Sequence, residues 1–191
     1  MAPPRIEIPH SIYHVNAKAV HGTKLFVDDV DRLAFLELLS REAAESKWQL
    51  LAYSLMTTHY HLLLRIEKRS LSSGFQRLGS VYARRYNERH ERRGALWQRR
   101  FFDAMVLSDD HLYEAIRYIA RNAPKANVCP RPEDWPWCSY GAAVGAYPPD
   151  PLVDEPALLS LFGTSPAKAR RRLQAFVEET DPRVRRGQTS L

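Results

Sequence analysis

The stretch from Trp48 to Ile66 constrains this chain more than any other. Trp48 to Met56 is rich in β-forming residues, His59 to Ile66 alternates along the chain, and only Thr57 and Thr58 separate them. Two strand-like runs joined by so short a link pair as an antiparallel hairpin. The period of two sends His59, His61, Leu63 and Arg65 to one face of the sheet. Tyr60, Leu62, Leu64 and Ile66 take the other face, which reads as the buried one.

The flanking segments complete a pattern. Ile12, His14, Asn16 and Lys18 alternate with Tyr13, Val15, Ala17 and Ala19, which predicts a half-buried strand over 10–20. From Val30 to Lys47, Leu33, Phe35, Leu36, Leu38, Leu39 and Ala43 recur at helical spacing behind the acidic Asp28, Asp29 and Asp31, a favourable helix start. Ser70 to Glu91 is a second helical stretch, with Leu71, Phe75, Leu78, Val81, Tyr82 and Tyr86 on one side and arginines on the other. Phe101 to Leu107 reads as a fourth strand, and Ser108, Asp109 and Asp110 offer N-cap oxygens to a helix that must stop near Pro124. The first six elements therefore run strand, helix, strand, strand, helix, strand. That order fits an α+β, ferredoxin-like antiparallel sheet with packed helices and not a doubly wound parallel one.

Beyond Pro124 the aromatics Trp135, Trp137 and Tyr140 sit in a turn-rich stretch expected to wrap back on the core. Pro148, Pro149 and Pro151 mark a junction, and Leu152–Phe162 and Ala167–Glu178 predict two short helices separated by a Gly163 stop and a Ser165-Pro166 start. The expected organisation is a domain over 5–145, a C-terminal helical extension over 150–180 and a basic, mobile tail over 181–191.

Composition narrows the partners. Among 191 residues, 28 Lys and Arg outnumber 22 Asp and Glu, and the formal charge of +6 favours a polyanion, nucleic acid ahead of an anionic membrane. No run approaches the roughly 18 apolar residues of a membrane span, and the opening residues lack an apolar signal core, so a cytoplasmic, nucleoid-associated protein with no membrane partner is expected. Cys129 and Cys138, nine positions apart, fit neither a zinc nor a disulfide framework and are read as ordinary thiols.

Two pairings can carry chemistry. His59 and His61 share a strand face, where neutral imidazoles can chelate a divalent ion or serve as ordinary structural histidines. Tyr118 and Asn122, four apart on the helix after the fourth strand, place a phenol and a carboxamide one turn apart on one face. Laid across the histidine face, that helix would add the Asn122 carbonyl as a third ligand and a phenolic hydroxyl beside the metal, although a half-buried core tyrosine is the plainer reading of Tyr118 alone. The fitting chemistry is tyrosine attack on a phosphodiester, with Lys125 or Arg121 supplying positive charge near the phenol. Tyr113, on the same helix but nearly opposite, is assigned to packing.

These residues also carry a resemblance. Met56-Thr-Thr-His59-Tyr60-His61-Leu-Leu-Leu resembles the His-hydrophobic-His motif of the IS200-like single-tyrosine transposases, within the HUH endonuclease superfamily. Tyr118-Ile119-Ala120-Arg121-Asn122-Ala-Pro-Lys-Ala126 is similar to the tyrosine helix of their REP-associated subgroup. Gly94-Ala-Leu-Trp97-Gln98-Arg99-Arg100-Phe101 and Trp135-Pro-Trp137-Cys-Ser139-Tyr140 also look like that subgroup, so the likeness runs over 5–145 in the right order. It implies a metal-dependent (Mg2+ or Mn2+) endonuclease and strand transferase that acts on single-stranded DNA beside REP-like hairpins through a 5′-phosphotyrosine. In that reading Tyr118 is the nucleophile and His59, His61 and Asn122 are the metal ligands. Asn122 stands where insertion-sequence members more often show glutamine, Thr57-Thr58 stands in place of Pro-Asn, and Ala123 interrupts an Asn-Pro. Such enzymes include monomers and homodimers, so either state is compatible.

DNA contacts are expected from the arginine-rich quarter between Arg77 and Arg100, because guanidinium groups bind phosphates bidentately. Arg84, Arg85, Gln98, Arg99, Arg100 and Arg121 are the candidates, with Trp97 as a base-stacking platform and Tyr82 and Tyr86 more at home in the core. Arg170, Arg171 and Arg172 form a further basic cluster that can grip a hairpin stem or keep the tail soluble. The alternative function is a hairpin-binding protein without cleavage. An RNA-binding sheet would call for exposed aromatics on central strands. Neither a GxSxG nor a phosphate-binding glycine loop occurs to support a hydrolase or nucleotide fold.

Overall fold

A computed structural model of the chain describes residues 7–179. The first six elements are β1 (Ile12–Lys18), α1 (Asp29–Ser46), β2 (Trp48–Leu55), β3 (His59–Ile66), α2 (Leu71–Arg89) and β4 (Phe102–Met105). The strands form one antiparallel sheet in the order β2-β3-β1-β4, which is the ferredoxin-like arrangement. β1 and β3 are central, so whatever chemistry they carry stands in the middle of the sheet.

The two sheet faces bury different sets. Tyr60, Leu62, Leu64 and Ile66 of β3 join Tyr13, Val15 and Ala17 of β1 under α1 and α2, where Phe35, Leu39, Phe75, Leu78 and Tyr82 close the core. A register shift at Leu50/Ala52 turns Leu51 and Ala52 both toward the second face. There Leu63 and this pair meet α3 (Asp109–Ala120) through Leu112, Ala115, Ile116 and Ile119.

Helix ends follow from side-chain chemistry. Asp28 caps α1 by accepting from Asp31 N–H, and the buried Asp31 carboxylate accepts from Val27 N–H at 2.8 Å. Ser108 caps α3 by accepting from His111 N–H at 3.2 Å. Gly74 of α2 is required by a close approach, since a Cβ there would strike the Trp48 indole.

α3 ends sooner than its periodicity suggests. Arg121 leaves the helix, and Asn122–Lys125 forms a separate single turn, α4. Pro124 has no N–H to give the Ala120 carbonyl, so the break falls before it, while a proline is tolerated in the first turn of the new helix. Asn122 is thus not on the Tyr118 helix as predicted, but on the turn immediately after it.

The segment after α4 does wrap back. A 3-10 turn (Pro132–Asp134) precedes Trp137, whose carbonyl accepts from Leu55 N–H at 2.8 Å, and Ser139 N–H donates to the Tyr53 carbonyl at 3.1 Å, covering the outer edge of β2. The Arg32 guanidinium lies 5.4 Å from both the Trp135 and Trp137 rings. A short α5 (Tyr140–Ala143) leads to α6 (Glu155–Ser160) and α7 (Pro166–Glu178).

These last helices pack directly on α3. Leu158, Leu159, Phe162, Ala169, Leu173 and Val177 share one buried cluster with Ile116 and Ile119. Arg170 pairs with Glu155, and Arg172 donates to the Phe162 carbonyl at 3.1 Å, so two arginines of the predicted basic cluster tie α7 to α6 and to the turn that follows it. The basic tail over 181–191 lies outside the described residues, as do residues 5 and 6 of the expected first domain. Cys129 and Cys138 are free thiols, and burial pushes the Cys138 thiol up to about 11.

Candidate active site

The antiparallel register builds the site. His61 is paired with Asn16 of β1 on one side and Ser54 of β2 on the other, while His59 is paired with Lys18. The alternation therefore holds: both imidazoles stand on the face covered by α3. Their rings are 5.1 Å apart and nearly perpendicular.

α3 brings Tyr118 over this pair. The phenol ring lies 5.0 Å from the His61 ring and, at 43% exposed, remains open to solvent. From α4 the Asn122 carboxamide, itself buried, comes within reach of the His59 imidazole. Thr58 Oγ1 sits 3.1 Å from His59 Nδ1, so the threonine that replaces the customary asparagine contacts the first histidine. Lys125 Nζ is 5.9 Å from the Tyr118 ring centroid.

A third histidine completes the group. His14 Nε2 lies 3.1 Å from His61 Nδ1, and its ring is 5.7 Å from Tyr118. Sequence alone places His14 on β1 without drawing it into the site. The signal is there, because β1 puts His14, Asn16 and Lys18 on a single face, but only the pairing of β1 with β3 shows whose face that is.

Electrostatics keep these rings neutral. Burial first, then His111, lowers His14 to about 4, and burial with His14 and His59 beside it lowers His61 to about 3. His59 is also lowered, chiefly by burial, with the Asn122 carboxamide opposing and Lys18 assisting. At neutral pH all three carry a lone pair, the form that binds metals.

The residues fit a divalent cation. His61 Nε2 is buried and has no hydrogen-bond partner among the described residues. No three His, Cys, Asp or Glu side chains among the described residues gather in metal-binding geometry, and the Asn122 carbonyl oxygen is a further available donor beside the two imidazoles. Two imidazoles and a carboxamide leave coordination positions open for substrate.

The other predicted residues are distributed differently. Tyr113 packs against Phe162 and Phe176 and donates to the Leu161 carbonyl at 2.7 Å, as its assignment to packing expects. Tyr82 and Tyr86 are buried and donate to the Leu25 and Lys24 carbonyls. Trp97 is half-buried: its indole donates to the Gly79 carbonyl at 2.8 Å and packs beside Tyr60 and Tyr82, with part of the ring left facing an open groove.

Arg84 and Arg85 are exposed, but α2 lies on the sheet face opposite Tyr118, and Arg85 pairs with Glu37 of α1 at 3.6 Å. Arg121 donates to the Glu179 carbonyl at 3.3 Å beyond the end of α7. Gln98, Arg99 and Arg100 are exposed on the link into β4, and Gln98 N–H donates to the Lys18 carbonyl at 2.9 Å. Arg99 and Arg100 rim a groove of about 590 Å³ floored by Tyr60, Phe75, Trp97 and Phe101. Phe102, paired with Asn16 in the row of His61, is 56% exposed on the histidine face and was not singled out from sequence.

Known proteins share this architecture. A Haemophilus influenzae protein named as a REP-associated tyrosine transposase is 27% identical over 116 residues, 54% of this chain and 66% of that relative's length. A solved REP-associated tyrosine transposase, bound to a REP hairpin, superposes with a TM-score of 0.65 at 15% identity over 80% of this chain and 89% of its own, a likeness of fold. Among the described residues no helix is long and apolar enough to cross a membrane. Residues 8–122, more than half of the chain and including every histidine, tyrosine and carboxamide of the site, match the family of IS200-like transposases, and the chain belongs to that family.

Proposed function

We propose that this protein is a transposase that cuts and rejoins single-stranded DNA beside REP-like hairpins, with Tyr118 as the nucleophile and a divalent ion, Mg2+ or Mn2+, as cofactor. The observation that carries this is the placing of an accessible phenol over His61, with His59 and Asn122 converging beside it. The net charge of +6 and a relative bound to a REP hairpin support the DNA partner.

Tyr118 Oη attacks phosphorus, the Oη–P bond forms and the P–O3′ bond breaks. The phenolic proton passes to solvent and the departing 3′ oxygen takes one up, leaving a 5′-phosphotyrosine and a free 3′-hydroxyl. The phosphoester energy is retained in that linkage, so attack by another 3′-hydroxyl rejoins DNA without ATP. The Lys125 ammonium stands 5.9 Å from the Tyr118 ring centroid and places a positive charge on the side of the ring where the phosphate must approach. His59, His61 and Asn122 would hold the cation, which supplies Lewis-acid polarisation of a non-bridging phosphate oxygen.

The test is a labelled single-stranded hairpin substrate incubated with Mn2+ or Mg2+ and resolved on a denaturing gel. A metal-dependent covalent adduct is expected from the wild type and from Tyr113→Phe, and none from Tyr118→Phe. Tight hairpin binding without any adduct would overturn the enzymatic reading and leave a hairpin-binding protein.

A further inference from the structure

We propose that His14 is a positioning residue for the metal site: it accepts a hydrogen bond from His61 Nδ1–H and thereby holds His61 in the tautomer whose Nε2 lone pair is free for the cation. This rests on the proposed role of His61 as a metal ligand.

Counting protons decides which ring donates. A neutral imidazole carries one N–H and one lone pair. His14 Nε2 and His61 Nδ1, 3.1 Å apart, can form a hydrogen bond only if one donates and the other accepts. Were His14 the donor, His61 would carry its proton on Nε2, a buried atom with no acceptor among the described residues. A buried donor left unmet is strongly unfavourable, because its hydrogen bond to water is lost and not replaced. With His61 as donor, Nε2 instead presents a lone pair, and a bound cation satisfies it. Only this second assignment makes sense of both nitrogens of His61.

The fold supports the division of labour. His14 sits on the central strand β1 between Leu63 of β3 and Ala104 of β4, so its backbone is held from both sides. It is not itself a third imidazole ligand, since no three-residue metal cluster forms among the described residues. Its ring also flanks Tyr118, so the same side chain that sets the His61 tautomer borders the nucleophile. Partners of this kind fix the ring orientation of a ligating histidine and raise its basicity.

The test compares the full chain with His14→Ala and His14→Gln. Long-range proton–nitrogen NMR on the metal-free proteins reads the His61 tautomer, and calorimetry with Mn2+ reads affinity. The wild type is expected to carry its His61 proton on Nδ1. His14→Ala should lose that single tautomer and about 10- to 100-fold in Mn2+ affinity. His14→Gln, whose Oε1 can accept from Nδ1–H, should recover most of both. A wild-type His61 protonated on Nε2 overturns the proposal, as does a folded His14→Ala with unchanged tautomer and Mn2+ affinity. If His14→Ala does not fold, the wild-type tautomer and the glutamine variant decide. A wild type that binds neither Mn2+ nor Mg2+ refutes the metal reading itself and this proposal with it, a result separable from loss confined to the variants.

Discussion

Replacing Leu173 by alanine tests whether the C-terminal helices are an accessory or part of the platform that carries Tyr118. Leu173 of α7 is fully buried in the cluster that includes Ile116 and Ile119 of α3, the helix that bears Tyr118. The substitution removes about three buried carbon groups at about 0.8 kcal/mol each, or about 2.4 kcal/mol of transfer free energy. The cavity left behind adds to this, and comparable leucine truncations cost about 2.7–5 kcal/mol. We therefore expect a loss of about 3–4 kcal/mol in urea denaturation. For a chain of this length that corresponds to a fall in Tm of about 6–16 °C. The unfolding transition should stay single and cooperative, because α3 and α7 share one core. A loss below about 1 kcal/mol, within the range of surface substitutions, or a separate early transition, would refute this coupling and make α6 and α7 an independent appendage.

Other perturbations probe other layers. Because folded His14 and His61 titrate well below an unfolded histidine's 6.5, the unfolded chain binds more protons as the solution is acidified. Stability should hold above pH 6.5 and decline from there toward pH 4, by at most about 1.4 kcal/mol per pH unit for each histidine, as followed by thermal unfolding across buffers. Asp31→Ala removes a buried carboxylate held by Arg89, His90 and Val27 N–H, and should cost about 3 kcal/mol by chemical denaturation without altering Mn2+ affinity. Lys125→Gln should slow adduct formation about two- to five-fold, the worth of an exposed cation at an aromatic ring, while Mn2+ uptake stays at the wild-type level.

Much of this was legible in one dimension, where local rules suffice. Alternation located the β2–β3 hairpin and put His59 and His61 on one face, and capping residues marked the start of α1 and α3. The order of six elements implied the sheet that forms. Rules of that kind depend on neighbours two to four residues apart, which the chain itself supplies.

What stayed hidden depends on contacts between distant segments. Trp97 is anchored by an indole N–H that donates to the carbonyl of Gly79, eighteen positions earlier, and sits half-buried beside Tyr60 and Tyr82. The arginines of α2 are a visible stripe in sequence, yet packing of α2 against α1 puts them on the face opposite Tyr118. Arg121 is drawn to the end of α7, a segment that sequence proximity to Tyr118 says nothing about.

The sequence by itself determined the strand and helix order, the shared face of His59 and His61, and the family to which these residues belong, because periodicity and motif spacing are properties of the covalent chain. Only the tertiary structure decided that His14 joins them and that Asn122 reaches His59 from a separate turn. It also decided that α7 buttresses the helix that bears Tyr118. Those outcomes arise from strand register and from the burial of one helix face against another, and neither is specified until the chain has closed on itself.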